Sequence, residues 1–347
     1  PGYQLAYLPN PNLRWEKVEA WEAGFETNLL RNRLHFEGVY YKKNTKDLLA
    51  EVPGISGTIP GIGNLGEIQN KGVEMAVTWR DQIGDWGYSV SANLTTIKNE
   101  VKSLVQEGYS IIAGDKSQSY TMAGYPIGYF YGYKVEGVYQ SQEEIDNSPK
   151  NKLATVTPGD LKFKDVNGDG EINEFDRTVI GGDKPTCYFG IDLGFEWKGL
   201  EVTALIQGAY NRDLYNSDRT LLEGFQVIGQ SYGQAYTNLL NRWTPETAET
   251  ATYPRLTAGG NMYNYGNNWN SSLFVQNGNY IRLKNATVSY KLPENFCRNY
   301  LGGLRVKIFV QGQNLLTWSR TRLQDPEVTF TSYPLQRTIT TGINLNF

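Results

Sequence analysis

The chain has 347 residues and is rich in aromatic side chains, with 24 tyrosines, 13 phenylalanines and 8 tryptophans. A net charge of −3 and the lack of a basic block argue against nucleic acid as the main partner, and two cysteines cannot form a disulfide framework. The mean hydropathy is −0.48 and no apolar stretch approaches ~18 residues, so the sequence excludes transmembrane helices but not membrane strands.

In chain order, the sequence starts at Pro1-Gly2 without a Met or an apolar leader, which indicates no signal peptide and a fragment or processed product. The pattern that follows is alternation of apolar and polar residues with a period of two, which predicts β-strands. The predicted strands are 18–30, 33–48, 73–80, 86–95, 128–139, 187–197, 200–207, 280–292, 304–313 and 338–347.

These runs are long for a soluble protein, whose strands average about 5–6 residues, and they suit tilted membrane strands of about 9–11 residues. In the six clearest runs the apolar face carries no charged residue. A charge facing lipid at mid-membrane costs about 2–4 kcal/mol, so this face suits lipid. The opposite face mixes Gly, Ser, Asn, Glu and Arg, which suits a wet lumen.

The predicted connections alternate between short and long. The short ones are Arg31-Asn32, 81–85, Lys198-Gly199 and 293–303, and the long ones are 49–66, 140–185, 213–278 and 318–334. Short turns at one rim and long loops at the other are typical of outer-membrane barrels. If all the short turns are periplasmic, the chain must cross once more between 100 and 128. We therefore predict a strand within 107–124, including Tyr120–Ala123, and eleven strands in total. Trp79, Trp86 and Trp197 then lie at the periplasmic rim, where amphipathic indoles are favoured.

Several segments resemble the SusC/RagA family of TonB-dependent outer-membrane transporters. They are Asn10–Glu26, Tyr40–Leu49, Asn70–Trp79, Gly159–Asn173, Arg242–Glu246, Tyr253–Arg255, Tyr280–Pro293, Gly312–Thr317 and the closing Phe347. The resemblance spans residues 1–347 and covers the carboxy-terminal half of such a transporter, without its plug and TonB box. It implies an all-β fold, a transmembrane antiparallel β-barrel of 22 strands of which about eleven are present, with long extracellular loops at 140–185 and 213–278.

The resemblance also implies a location in the bacterial outer membrane, in contact with its lipid. The family imports oligosaccharides or peptides, driven by TonB, together with a SusD-like surface lipoprotein that closes over the extracellular mouth. A dimer of transporter–lipoprotein pairs is one assembly that this allows. Phe347, at the end of an alternating strand, resembles the signal read by the barrel-assembly machinery, and it also suits an aromatic-girdle residue.

One segment matches the spacing of a calcium loop, D-x-N-x-D-G. Asp165, Asn167 and Asp169 would give side-chain oxygens, Glu171 its backbone carbonyl, and Asp176, in the twelfth position, a carboxylate. No flanking helix pair is predicted, so we expect a rigid surface loop stapled by Ca2+ or Mg2+. The alternative is a loop of Asx turns without metal.

The segment 213–278 combines aromatic residues with many Asn and Gly, which suits sugar stacking and hydrogen bonding. Trp243, Tyr265 and Trp269 are the candidates for substrate contact, beside Tyr253 and Tyr263. The same composition also describes loops that pack on one another and on a partner lipoprotein. A short helix within Gly229–Arg242 is a further expectation.

Three other features give little support for a binding or catalytic function. Gly61–Gly66 spells G-x-G-x-x-G, but a strand is predicted after it instead of the helix that a dinucleotide site needs. His35, the sole histidine, is expected in mid-strand facing the lumen, in a hydrogen-bonding role. Cys187 and Cys297 are expected at opposite rims, too far apart for a disulfide.

With no catalytic constellation in the sequence, we predict a transporter and not an enzyme. The sequence leaves two alternative hypotheses: a secreted all-β carbohydrate-binding module with a calcium-stapled loop, and a passive porin.

Overall fold

A computed structural model describes residues 10–52, 61–64, 66–104, 108–114, 117–217, 219, 223, 237–256, 262–265, 270–321, 325–327, 333 and 335–346. Its main feature is an antiparallel sheet, in which nine long strands follow one another along the wall. They are β1 (Lys17–Leu29), β2 (Leu34–Lys46), β3 (Gly66–Ile83), β4 (Trp86–Thr96), β5 (Cys187–Trp197), β6 (Leu200–Tyr210), β7 (Tyr280–Lys291), β8 (Arg305–Ser319) and β9 (Thr338–Asn346).

Side chains alternate between the two faces of this wall, because successive residues of a strand point to opposite sides. One face exposes a band of large apolar residues: Trp21, Phe25, Met75, Val90, Leu94, Leu193, Ile281, Val288, Ile308, Val310, Ile339 and Ile343. The register aligns this band across strands, for example through Val90↔Leu193 and Ile308↔Ile343. The alternation that predicted the strands is therefore the alternation between an apolar outer face and a polar inner face.

Short turns join the wall strands at one rim. Lys198 and Gly199 both have positive φ, 43° and 86°, as the tight hairpin between β5 and β6 requires. Trp86 lies opposite Trp197 at this rim, and their rings stack with centroids 4.9 Å apart. A helix at Glu294–Tyr300 fills the connection between β7 and β8. Among the described helices, none combines the length and the apolar character needed to cross a membrane.

The predicted strands at 107–124 and 128–139 do not belong to the wall. β4 pairs directly with β5, from Trp86↔Trp197 to Thr96↔Cys187, so no strand lies between them. Tyr129–Gly132 instead pairs with Ser119–Met122 and Thr178–Gly182 in a separate four-stranded sheet. The count of eleven wall strands was wrong: nine are present in the described part of the chain.

The error lies in the assumption that 128–139 crosses the membrane. When 128–139 is instead part of the connection between β4 and β5, all the short turns lie at one rim of the wall and no additional membrane-crossing strand is needed. The wall is open, with β1 and β9 as its edges in the described residues. Lys98–Leu104 continues β4 beyond Ile97 and pairs with the first residues of β3, from Gly66 to Lys71, at the long-loop rim. At the same rim, Leu49–Val52 and Gly61–Asn64 form a hairpin between β2 and β3.

Most of the remaining elements lie in two insertions at the long-loop rim, which we call insertion 1 (97–186) and insertion 2 (211–279). Insertion 1 contains a helix at Gln142–Asp146, a 3-10 turn at Glu174–Asp176 and the strands Ser110–Ala113, Ser119–Met122, Tyr129–Gly132, Val135–Val138, Lys150–Asn151, Leu161–Phe163, Glu171–Ile172 and Thr178–Gly182. Insertion 2 contains the strands Asp213–Tyr215 and Val275–Asn277, a helix at Met262–Tyr265 and 3-10 turns at Thr237–Asn241 and Ser272–Phe274. The expected helix within Gly229–Arg242 corresponds in part to the turn at Thr237–Asn241, and residues 229–236 lie outside the described part.

Candidate functional site

The two insertions share one hydrophobic core, so they form a single body at the long-loop rim, which we call the cap. Its buried residues are Tyr133, Val138, Leu161, Phe163, Ile172 and, from insertion 2, Tyr263. The Tyr133 and Phe163 rings stack with centroids 4.9 Å apart, and Phe163 lies 5.0 Å from the ring of Tyr263. Burial of these aromatic faces stabilises the cap through the hydrophobic effect.

Asp160 is the polar centre of the contact between the insertions. Its carboxylate is 2 % exposed and accepts hydrogen bonds from Thr157 N at 2.9 Å, Arg255 Nε at 2.9 Å and Asn264 Nδ2 at 3.1 Å. A buried carboxylate is tolerated when a charged partner and several donors satisfy its oxygens. Arg255 and Asn264 both come from insertion 2, so Asp160 joins the two insertions.

Gly159 provides the close approach beside this centre. Its φ is +92°, and a Cβ there would lie 2.7 Å from Trp243 Cε3 and 2.8 Å from Arg255 Cβ. Its carbonyl accepts a hydrogen bond from Arg255 N at 2.8 Å, and Trp243 N donates to Tyr253 O at 2.9 Å. The motifs 159–173, 242–246 and 253–255 thus meet in one packed junction.

Two of the three aromatic residues predicted to contact substrate lie in the described part of the chain, Trp243 and Tyr265. Tyr265 is 0 % exposed and packs edge-on against Phe274, and burial raises the pKa of its hydroxyl well above the usual range. Its ring presents no face to a substrate, so substrate contact is not supported for Tyr265. Trp243 is half-buried against the core of the cap, and its contact with substrate stays a prediction. Trp269 lies outside the described residues.

The D-x-N-x-D-G loop is held by hydrogen bonds from its own backbone. The carboxylate of Asp165 accepts from Gly168 N at 2.6 Å and Gly170 N at 2.9 Å, and Asp169 Oδ1 accepts from Glu171 N at 2.8 Å. Asp176 is 0 % exposed and accepts from Val166 N and Asn173 N, both at 2.8 Å. These contacts form a series of Asx turns.

The donor set of this loop fits a hard cation, since Asp165, Asn167 and Asp169 supply side-chain oxygens at alternate positions around two glycines. Glu171 pairs with Lys152 at 3.0 Å and leaves its carbonyl for the seventh position. The acidic groups do not converge, however: among the described His, Cys, Asp and Glu side chains, one trio has ligand atoms all within 4.8 Å, and it is Glu26, His35 and Glu37. Cation binding by the loop remains a prediction.

The sequence analysis did not predict a buried ionic cluster that joins β7 to the connection between β8 and β9. Arg282 on β7 is 0 % exposed and donates to Asp325 Oδ2 and Glu327 Oε2, both at 2.6 Å. It fastens residues 325–327 of the connection between β8 and β9 to the polar face of the wall. The available clue was an arginine on the polar face of a strand and an Asp-x-Glu pair in the next long connection.

The glycine motif and the two cysteines lie as expected, whereas His35 is the second residue of β2, beside the short-turn rim, and not in mid-strand. β3 begins at Gly66, so a strand follows the G-x-G-x-x-G segment and no helix is present there to hold a phosphate. Cys187 starts β5 at the long-loop rim and Cys297 lies in the helix of a short-turn connection, and both are free. Phe347 lies outside the described residues.

Comparison with protein families decides the identity of the fold. The family model described as "TonB dependent receptor-like, beta-barrel" matches residues 1–183, more than half of the chain. The chain belongs to this family. Its location is therefore the bacterial outer membrane, the apolar face of the wall faces lipid, and the polar face lines the lumen. The secreted-module alternative is wrong for a chain of this family.

Similar proteins agree with the TonB-dependent receptor assignment. TonB-dependent receptor P3 of Formosa agariphila is 31% identical over 375 residues, covering 100% of this chain and 36% of that protein. TonB-dependent receptor SusC of Bacteroides thetaiotaomicron is 24% identical over 355 residues, covering 97% and 32%. The chain thus spans about a third of the length of these relatives. The structure of the RagAB peptide importer in the open-open state matches with a TM-score of 0.80 and 25% identity, covering 100% of this chain and 36% of that one.

Proposed function

We propose that this chain supplies part of the wall and the extracellular cap of an outer-membrane importer. The importer takes up oligosaccharides or peptides, draws energy from TonB, and works with a SusD-like surface lipoprotein. The observation that carries the proposal is the combination of a lipid-facing wall with a cap at the long-loop rim. Relatives named TonB-dependent receptor SusC and RagAB peptide importer support it. We assign no catalytic role to the chain.

The cap offers a rigid surface for the lipoprotein. Phe175 is 74 % exposed, although it lies in a 3-10 turn that is fixed by a capping box between Asn173 and Asp176. Leu240, in a 3-10 turn of insertion 2, is 75 % exposed. Large apolar side chains on a fixed surface are typical of protein contacts. The proposed Ca2+ in loop 165–176 would fix Phe175 further, because Asp176 adjoins it.

Uptake measurements on the full-length protein in its own bacterium test the proposal. Deletion of the gene should abolish growth on one substrate class, a set of oligosaccharides or a set of peptides, and the complemented strain should regain it. Uptake should also stop when TonB is removed. Uptake that continues without TonB would instead identify a passive porin, and normal growth on both classes would refute the import proposal.

Affinity purification tests the partner and the loop separately. The tagged full-length protein should retain a surface lipoprotein, and Phe175→Ser should weaken that retention more than Val179→Ser, which changes a less exposed residue of insertion 1. For the loop, Asp169→Asn should reduce Ca2+ bound per protein, measured by elemental analysis. Equal Ca2+ content in the wild type and the variant would refute the cation proposal without affecting the import proposal.

A further inference from the structure

A second polar cluster lies on the lumenal face of the β1–β2 hairpin, close to the short-turn rim. Glu26 lies directly opposite Glu37, and Asn28 lies opposite His35. The opposite face of the hairpin carries the stacked rings of Phe25 and Phe36, with centroids 5.2 Å apart, which face lipid. The four polar side chains therefore share the aqueous side of the wall.

Among the described residues, no Lys or Arg forms an ion pair with either carboxylate of this pair. Like charges directly opposite each other destabilise a sheet. Elsewhere on the lumenal face, Glu201 contacts both Lys291 and Lys307. The Glu26–Glu37 pair is thus a local excess of negative charge that a bound cation would neutralise.

The geometry at His35 selects the kind of cation. Its Nε2 lies 2.7 Å from Glu37 Oε1, and its Nδ1 lies 3.0 Å from Asn28 Oδ1. Both ring nitrogens are thus hydrogen-bonded. When Nδ1–H donates to Asn28 Oδ1, the proton of Nε2 can be replaced by a metal ion that Nε2 and Glu37 then share. A metal-binding histidine is usually held in this way by a hydrogen bond to its other ring nitrogen. The ligand atoms of Glu26, His35 and Glu37 all lie within 4.8 Å of one another.

We propose that Glu26, His35 and Glu37 bind one divalent transition-metal ion, with Zn2+ as the reference ion. One imidazole and two carboxylates form a donor set suited to Zn2+ and its neighbours, and three protein ligands leave a position open to a water of the lumen. Asn28 is a positioning residue, because it orients His35 without contacting the ion. The bound ion would join β1 to β2 and remove the repulsion between the two carboxylates.

Zinc titration of the full-length protein in detergent, by competition with a chromogenic chelator, tests the site. His35→Ala and Glu37→Gln should each remove one zinc equivalent from the binding curve. Asn28→Ala should keep that equivalent with an affinity about 10–100-fold lower, as loss of a supporting hydrogen bond does in other metal sites. The matched control is Glu22→Gln, which removes a carboxylate from the same face of β1, four residues before Glu26.

The fold of each variant is checked by heat modifiability on gels, and X-ray absorption at the zinc edge provides a measurement on the wild type. The spectrum should contain imidazole scattering that is reduced in His35→Ala. An unchanged zinc equivalent in both His35→Ala and Glu37→Gln, or equal loss in Glu22→Gln, would overturn the proposal. The proposal would also be overturned if the wild type bound no zinc that is lost on mutation of these residues. His35 would then have only a hydrogen-bonding role. The import proposal does not depend on any of these outcomes.

Discussion

Single residues explain why several family-like motifs contain the amino acids they do. Gly159 and Asp160 serve the junction between the insertions, where one allows close approach and the other accepts hydrogen bonds from insertion 2. The motif residues of 242–246 and 253–255 are the other side of the same junction, through Trp243 and Arg255. At this scale, these motif residues account for packing within the cap.

The first prediction concerns Gly159→Ala. A residue with a Cβ at positive φ costs about 1–2 kcal/mol, and overpacking against Trp243 and Arg255 adds about 1–3 kcal/mol. Gly124→Ala is the control, because φ is +87° there but a Cβ would meet nothing within 4 Å. We expect Gly159→Ala, and not the control, to make the cap sensitive to protease while the barrel stays heat-modifiable. Equal protease sensitivity of the two variants would show that the junction is not tightly packed.

The second prediction concerns the pH dependence of the D-x-N-x-D-G loop. The hydrogen bond from Glu171 N holds the pKa of Asp169 below its usual range. Partial desolvation opposes this effect, and hydrogen bonds from the Asn167 and Asn173 amides add to it. Because the folded pKa lies below the unfolded value, the stabilisation is fully present above the unfolded value of about 3.9 and is lost as pH falls through the folded pKa.

Amide hydrogen exchange at Glu171 checks this dependence. The amide should remain protected at neutral pH and lose protection, relative to its intrinsic exchange rate, as pH drops below about 4. In Asp169→Asn, which cannot ionise, the protection should not change over this range. A protection factor that is independent of pH in the wild type would contradict the assignment of this carboxylate as the acceptor.

Strands differ in how far the sequence predicts them. Seven of the nine wall strands were predicted to within three residues of their described ends, because lipid on one side and water on the other impose alternation over many residues. The exceptions are β3, which begins at Gly66 instead of 73, and β8, which ends at Ser319 instead of 313. β5 illustrates this, since it alternates through its whole length up to Lys198-Gly199. Tyr129–Gly132 was misassigned to the wall because a short strand buried on nearly both faces carries no such constraint. One of its two partners, Thr178–Gly182, is distant in sequence, and periodicity alone does not reveal such a pairing.

The third prediction concerns the connection between β8 and β9, which Arg282 fastens to the wall. Arg282→Met leaves Asp325 buried without its cation, and breaking a buried ion pair in this way costs about 3–5 kcal/mol. We expect the backbone amide of Glu327, which donates to Asp325 Oδ1 at 2.8 Å, to exchange faster with solvent. Arg282→Lys should restore protection only in part, because lysine lacks the fork that reaches both carboxylates.

Arg305→Met is the control for this experiment. Arg305 pairs with Glu294 at 3.7 Å, and both side chains are about three-quarters exposed, at 76% and 74%. Exposed pairs contribute about 0–1 kcal/mol, so this variant should leave exchange at Glu327 unchanged. Unaltered exchange in Arg282→Met would mean that the connection is held by other contacts.

At the scale of the whole chain, the wall faces lipid on one side and the aqueous lumen on the other, and the cap lies at its long-loop rim. Leu193 and Asp192 show the contrast most directly, because they are neighbours in β5 and both are exposed. Leu193 lies in the apolar band, between Val90 and Ala204, whereas Asp192 lies between Ser91 and Leu205 on the lumenal face. Equal exposure therefore has opposite meaning at the two positions.

The fourth prediction uses this pair of positions to test the orientation of the wall. Leu193→Lys places a charge in lipid near the middle of a strand, which costs about 2–4 kcal/mol, whereas Asp192→Lys places the same side chain in water. We expect Leu193→Lys to lower the amount of folded, heat-modifiable protein in the outer membrane, and Asp192→Lys to leave that amount close to the wild-type level. The reverse order would require the two faces to be exchanged. Because a shift of register by one residue flips every side chain of a strand, this result would also refute the pairing of β5 with β4 and β6.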